Sequence, residues 1–351
     1  MTLKELAKLA GVSYSTVSKA LNDSHEISEQ TKTRIKALAK KYHYIPNASV
    51  YNLKFQKTYN LALIFSRNLM FNGDSIMLGS TLQQLLIHEI EKFGYTCTVH
   101  ADKNPLGESM VPRICNQRIV DGFIFVSDEI EEEDMAYLKE QGIPFVFCML
   151  APKSLPDEVS YFLPDDFQDG YHCTNFLIQN GHRKIVTIAN VEKYADYQLR
   201  TQGYYQAMAE HNLPPQLIQS NMNATDSERL IQENYQLISQ ADALFIQWDG
   251  MAGVIMQYLI SQNIPIPQKV SIMGYNDYPI TAFFRPMLTT MHDARELQCF
   301  RAIQALTTLI NNPDAPVIRS KAPGKIILRE SVLLTANNES PESLQVPGTH
   351  T

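Results

Sequence analysis

The sequence predicts an α/β fold in three parts: an N-terminal three-helix head of helix-turn-helix type, a hinge segment, and a body of two doubly wound parallel-sheet subdomains. Three observations carry this. Apolar residues recur at helical spacing through the first 42 residues, basic charge is concentrated in the same segment, and from residue 61 onward short apolar runs alternate with helical stretches.

At 100° per residue, Leu3, Leu6, Ala7, Leu9 and Ala10 fall on one arc of a first helix, with Lys4, Glu5 and Lys8 opposite. Thr2 followed three residues later by Glu5 fits a capping box, in which the two side chains satisfy unpaired amides of the first turn. Gly11 permits a tight corner that a residue with a Cβ resists, and Ser13 is placed to cap the next helix. In that second helix Val17, Ala20 and Leu21 form the apolar arc, so Tyr14, Ser15, Ser18 and Lys19 project outward, where they can enter a DNA groove. A third helix follows Ser28, with Ile35, Leu38, Ala39 and Tyr42 on one side and Lys32, Lys36 and Lys40 on another.

Charge separates the head from the rest. The 351-residue chain has a formal net charge of -7, which alone argues against nucleic acid. Residues 1–57, however, hold ten basic residues against four acidic ones, which makes that segment +6 and leaves -13 for the remainder. A basic head on an acidic body suits capture of a phosphate backbone by the head. At 44% hydrophobic content the chain can bury more than one core. Its five cysteines, Cys97, Cys115, Cys148, Cys173 and Cys299, have no metal-binding spacing and read as reduced thiols of a cytoplasmic protein. No apolar stretch is long enough to span a bilayer and the first helix is charged throughout, so neither a signal peptide nor a membrane partner is expected.

Between head and body, Pro46 stops the preceding helix and Asn47 can cap a short one running toward Leu53 and Lys54. A helix this short is marginal on its own. In the body, apolar runs at Leu61–Phe65, Cys97–Val99, Phe123–Val126, Phe145–Met149, Lys184–Ile188, Ala243–Ile246 and Val270–Met273 read as strands. Helical patterns fall near 78–93, 131–141, 167–180, 196–211, 226–239 and 250–263. Strands separated by such helices imply parallel sheets covered on both faces, whose ligands bind beyond the carboxyl ends of the strands. The residues at those ends are Ser66, Arg67, Asn68 and Phe71, then Ser127 and Asp128, then Trp248 and Asp249, then Asn276 and Asp277. Amides and carboxylates there can pair hydroxyl groups while the chain's only tryptophan covers an apolar ring face, which suits a small polyhydroxylated ligand.

The sequence resembles the lactose/galactose repressor (LacI/GalR) family of bacterial transcription regulators. In the head the resemblance rests on Leu3-Lys4-Glu5-Leu6-Ala7, Ala10-Gly11-Val12-Ser13, Ser15-Thr16-Val17-Ser18, Leu21-Asn22, Ser28-Glu29-Gln30-Thr31 and Tyr44-Ile45-Pro46-Asn47. In the body it rests on Gly181-His182-Arg183-Lys184-Ile185, Arg200 with Gly203-Tyr204 and Ala207, Trp248-Asp249, Gly274-Tyr275-Asn276-Asp277, and Pro286 with Leu288-Thr289-Thr290. It implies a body of periplasmic-binding-protein type and a second helix lying in the major groove. By position it implies base reading by Tyr14, Ser15 and Lys19, phosphate contacts by Thr16, Ser18, Asn22 and Thr31, and a minor-groove contact by the hinge at Leu53 and Lys54. It further implies Arg200 as the pocket arginine, Asn276 closing the cleft, Trp248 and Asp249 as neighbours, and Asp165 contributing from the second half. Val50 and Tyr51 depart from the family's hinge, and Asn68–Asp74, Trp248 and Asn276 depart from its pocket, so the ligand's identity is not inherited.

The expected division is 1–45 for the DNA-binding head, 46–57 for the hinge, and 58–335 for the effector-binding and dimerisation body, with crossovers near 161–163, 290 and 322. A disordered tail is expected over 336–351, where polar residues and prolines show no heptad repeat. The expected function is repression of transcription from operator DNA by a homodimer, controlled by a sugar-like effector in the cleft. No catalytic, cofactor-binding or metal-binding residues are expected, because no phosphate-cradling, dinucleotide, nucleophile-elbow or zinc signature occurs. The alternative, a stand-alone periplasmic-type sugar-binding protein, explains the body but not the basic head.

Overall fold

The computed structural model describes residues 2–21, 24–42, 57–71, 75–192, 194–222 and 227–335. They form two compact units, one ending at Tyr59 and one beginning at Asn60. The expectations for Asn22, Leu53, Lys54, the hinge up to residue 56 and the tail 336–351 lie outside the described residues.

The first unit holds helices α1 (Leu3–Ala10), α2 (Tyr14–Leu21) and α3 (Glu29–Lys41). Thr2 and Glu5 form the reciprocal capping box, and Gly11 ends α1 in the left-handed conformation with φ 66°. Ser13 Oγ accepts the Thr16 amide at 3.1 Å, and Ser28 Oγ accepts the Thr31 amide at 3.4 Å, so both later helices start on a serine. Leu6, Ala7, Ala10, Val17, Ala20, Ile35 and Ala39 close the small core. Three faces differ from the helical wheel. Leu9 is exposed because it lies at the edge of its arc and Tyr42 because it caps α3 beyond its last turn, and Lys32 is buried with its ammonium on Glu29 at 2.7 Å.

The second unit contains two six-stranded sheets. The first is built from β1 (Asn60–Phe65), β2 (Thr96–Ala101), β3 (Gly122–Val126), β4 (Phe145–Cys148), β5 (Ser160–Pro164) and β11 (Arg319–Ala322), in the order β11-β5-β4-β3-β1-β2. All its pairs are parallel. Around it lie α4 (Arg67–Phe71), α5 (Ile76–Lys92), α6 (Val111–Gln117), α7 (Glu132–Glu140) and a late helix, α13 (Arg295–Asn311). Both faces are buried: Leu61, Leu63 and Phe65 pack to one side, and Ala62 and Ile64 to the other.

The second sheet is built from β6 (Ile185–Ala189), β7 (Gln216–Gln219), β8 (Ala243–Ile246), β9 (Ser271–Tyr275), β10 (Thr289–His292) and β12 (Lys325–Ile327), in the order β12-β10-β9-β8-β6-β7. Only the β10–β12 pair is antiparallel. Its helices are α8 (Asp166–Gln179), α9 (Ala195–Glu210), α10 (Ser227–Glu233), α11 (Tyr235–Gln240) and α12 (Asp249–Ser261). The single helix expected over 226–239 is two, broken at Asn234, whose amide donates to Leu230 O at 2.9 Å. The chain passes between the sheets three times, after Pro164, after His292 and after Ala322.

Candidate functional site

On α2 the outward residues follow from the burial of Val17 and Ala20. Tyr14 and Ser15 are exposed, and Tyr14 leaves nearly half its surface open at 46%. Lys19 is also on this side, but its ammonium is paired with Glu26 from the turn before α3. Thr16 and Thr31 each share a hydroxyl–hydroxyl hydrogen bond with the serine that caps their helix, at 2.8 and 2.9 Å. Ser18 is half-buried beside them. The geometry leaves Tyr14 and Ser15 open at the start of α2, while Lys19 is held in a solvent-exposed ion pair.

In the body, the order of each sheet reverses beside its first strand, between β1 and β3 and between β6 and β8. That switch point is where the loops leaving adjacent strands diverge and open a crevice. A cavity of about 350 Å³ lies at both switch points at once. Ser66 follows β1, Asp128 follows β3, Asn190 follows β6 and Trp248 follows β8, and all four line it. Of the expected residues, Ser66, Asn68, Asp128, Arg200, Trp248 and Asn276 are brought together on its wall.

Arg67, Phe71, Asp165 and Asp249 are not on that wall. Arg67 turns its guanidinium to Lys103 O at 3.4 Å and over the ring of Phe71 at 4.8 Å, and Phe71 itself faces outward. Asp165 caps α8 by accepting the Gln168 amide at 3.3 Å. Asp249 is fully buried beneath Trp248, where it accepts the Thr290 hydroxyl at 2.7 Å and the Tyr278 amide at 3.0 Å. Burial raises its carboxyl to about 7 against those two hydrogen bonds. Its position fixes the loop that carries Asn276 and Tyr278.

Arg200 is held by close helix packing. Helices α8 and α9 meet where a Cβ on Gly203 would lie 2.1 Å from Phe167 O, and one on Gly170 would lie 2.0 Å from Arg200 O. This contact seats the buried Arg200 between the Tyr197 and Tyr275 rings, 4.3 and 4.0 Å from their centroids. Its Nε lies 3.2 Å from Asp166, its Nη2 is paired with Asp196, and its Nη1 donates to Gln247 O at 3.0 Å. Burial pushes the Asp166 carboxyl well above the ordinary range, opposed by Arg200. The Tyr275 hydroxyl donates to Asp169 at 2.8 Å, and burial brings Asp169 to about 7.

Asn276 and Asp277 are both in the left-handed region, with φ 108° and 52°. The Asn276 amide donates to Met291 O at 2.9 Å, its carbonyl accepts from Arg295, and Asp277 is gripped by Arg329 and by His292 at 3.0 Å. Strain of this kind persists only when neighbours over-determine the backbone. Sequence reasoning missed Asn190, Asp196, Tyr197, Asn221, Met222 and Tyr278 on the wall. Asp196 and Tyr197 were within reach, since they sit four and three residues before Arg200 on one helix and so share its face.

Comparison with known proteins agrees with both halves of this description. Residues 2–47 match the family described as bacterial regulatory proteins of the lacI family, and residues 174–332 match the periplasmic binding protein-like domain. The chain thus joins a DNA-binding head of the lacI family of bacterial regulatory proteins to a periplasmic binding protein-like domain. It is a DNA-binding transcription regulator. It is 27% identical over 339 residues to the probable HTH-type transcriptional repressor ExuR of Bacillus subtilis (strain 168), covering 95% of this chain and 98% of that one. A transcriptional regulator CelR–cellobiose complex superposes with a TM-score of 0.64 at 23% identity, over 94% of this chain and 99% of the other. A Lac repressor dimer bound to operator and the anti-inducer ONPF gives 0.76 at 18% identity, over 95% and 99%. Among the described residues no helix is long and apolar enough to cross a membrane, and no group of three or more His, Cys, Asp or Glu could hold a metal ion.

Proposed function

We propose that this regulator is a LacI-family repressor that works as a homodimer, reads operator half-sites with Tyr14, Ser15 and Lys19, and responds to a small polar effector in the cavity between the two sheets of its body. The observation that carries the reading is the cavity's place. It is bounded by loops of both sheets, so a ligand filling it contacts both subdomains and favours one relative placement over another. The three chain crossings join the same two subdomains, so a ligand's preference acts on their relative placement. Supporting it, the solved relatives include one described with cellobiose and one described as a dimer on operator.

In this reading Thr16, Ser18, Asn22 and Thr31 hold phosphates, the hinge at Leu53 and Lys54 meets the minor groove, and the protein acts in the cytoplasm without a catalytic step. Ser66, Asp128, Arg200, Trp248 and Asn276 contact the effector, while Asp165 and Asp249 support the wall from behind. The test is a gel-shift titration of the full chain on a pseudo-palindromic operator, with sugars, sugar phosphates and purines added in turn. Sequence-specific binding that one compound strengthens or weakens is the expected result. Binding that no compound alters, or none above that to random DNA, would refute the reading.

A further inference from the structure

We infer that the cavity selects an uncharged, hydroxyl-rich ligand and rejects the corresponding uronate or phosphate. This deepens the effector reading above and rests on it. The argument is the charge balance of the wall. Among the described residues that line the cavity, Arg200 is the one cation, and Asp128 and Asp196 are carboxylates. Arg200 is already committed: Asp166 lies 3.2 Å from its Nε, Asp196 is paired with its Nη2, and two tyrosine rings cover its faces. An arginine that clamps a ligand carboxylate needs an uncompensated guanidinium presenting two parallel donors, which this one does not offer.

Among the described residues, cations nearby do not repair the deficit. Arg67 turns to Lys103 O and Phe71, and Arg295 is locked to Asp293 at 2.6 Å and to Asn276 O. Whether Asp166 is ionised or protonated, the wall carries more negative than positive charge. An anionic ligand would therefore be desolvated against like charge in a confined, low-dielectric space. What the wall does offer is neutral: the amides of Asn68, Asn190, Asn221 and Asn276, of which Asn68 donates to Glu129 at 3.0 Å and Asn190 accepts from Gln219 at 3.3 Å, with the rings of Trp248 and Tyr197 beside them. Amides match hydroxyls, which also donate and accept, and aromatic faces match the C–H face of a sugar ring. At about 350 Å³ the space is at the small end of ligand sites, which suits one or two rings.

The experiment is calorimetric titration and thermal shift of the full chain with matched sets: D-glucose, D-glucuronate and D-glucose 6-phosphate; the D-galactose equivalents; ribose and ribose 5-phosphate; and cellobiose. At least one neutral sugar is expected to bind, with its charged counterparts weaker by about tenfold or more. Asp128→Asn, at the exposed rim, is expected to narrow that ratio several-fold, because it removes one repelling charge without disturbing the core. A uronate or phosphate that equals or exceeds its parent sugar overturns the proposal, whether or not its binding survives Lys193→Ala, next to Tyr194 in the chain and outside the described residues. If such an anion also alters operator affinity, the effector reading stands while the charge selection falls. Response to none of the series, in stability or in operator affinity, overturns both.

Discussion

Lys19 meets a carboxylate in the head, so the base contact proposed for it requires an exchange of partners. An exposed pair of this kind contributes about 0.2–1 kcal/mol, less than a specific base contact supplies. Lys19→Ala is expected to weaken operator binding about tenfold and to relax preference at one base pair. Glu26→Gln should act in the opposite sense, by a few-fold, and fluorescence anisotropy on matched and mismatched operators checks both. His292 offers a second residue-scale test. Its imidazole bridges Asp277 at 3.0 Å and Glu296 at 2.8 Å, beside Arg295 and Arg329 and opposite Lys325 on β12. The Asp277 bond raises its proton affinity, burial opposes this, and Glu296 adds to it. Because the folded value lies above the unfolded one, the stabilisation is complete below about pH 6.5 and is lost as pH rises through the folded value. Asp277 behaves oppositely: burial is outweighed by bonds from His292 and Arg329, which hold it at about 2, so its contribution is lost only in acid. Urea midpoints between about pH 6 and pH 9 should fall more steeply for the wild type than for His292→Gln. Asp249→Asn should be tolerated, since an amide can accept from Tyr278 and donate to Thr290, whereas Asp249→Ala strands both and should cost about 1–3 kcal/mol in denaturant unfolding.

Helices α8 and α9 show how an element positions a side chain that no local motif identifies. Their contact excludes a Cβ at Gly170 and Gly203, and the closeness it permits places Arg200 under the cavity. Gly203→Ala is therefore expected to destabilise the body by about 1–3 kcal/mol and to weaken ligand binding through displacement of Arg200, measured by urea unfolding and by calorimetry. The seven apolar runs of the sequence all become strands; six are continuously buried, as parallel strands covered on both faces are, and the seventh, β2, is a half-buried edge strand. β5 and β11 escaped that criterion: Ser160–Pro164 alternates buried and half-buried positions, and Arg319–Ala322 is an edge strand with only Ala322 buried. Helix α13 escaped because it buries polar Arg295, Gln298 and Thr307 with its apolar residues, which blurs the stripe. Arg200 was legible only through family resemblance, since a buried arginine depends on partners from other elements. Strand-end reasoning found Ser66, Asn68, Asp128, Trp248 and Asn276, but could not distinguish those facing the cavity from Arg67 and Asp249, which bond behind it.

At the scale of the whole molecule, charge divides two binding events that obey different physics. Neutralising DNA phosphates with lysines releases counterions, so operator affinity should fall about 10³-fold or more between 50 and 200 mM salt. A neutral ligand in the body should bind almost independently of salt over the same range, and parallel titrations distinguish the two. The three passages between sheets set a different kind of constraint, on the order of assembly during synthesis. The head can close its core once residue 42 has emerged, because α1, α2 and α3 are contiguous. Neither sheet of the body is so placed. The first begins at Asn60 but lacks its edge strand until Ala322, and the helix that covers β4 and β5 arrives only with Arg295–Asn311. The second begins at Ile185 and closes with Ile327. A ribosome making this chain therefore displays a finished DNA-binding head for most of the synthesis of an unfinished sensor, and premature termination before residue 319 would release a head without a complete body to regulate it.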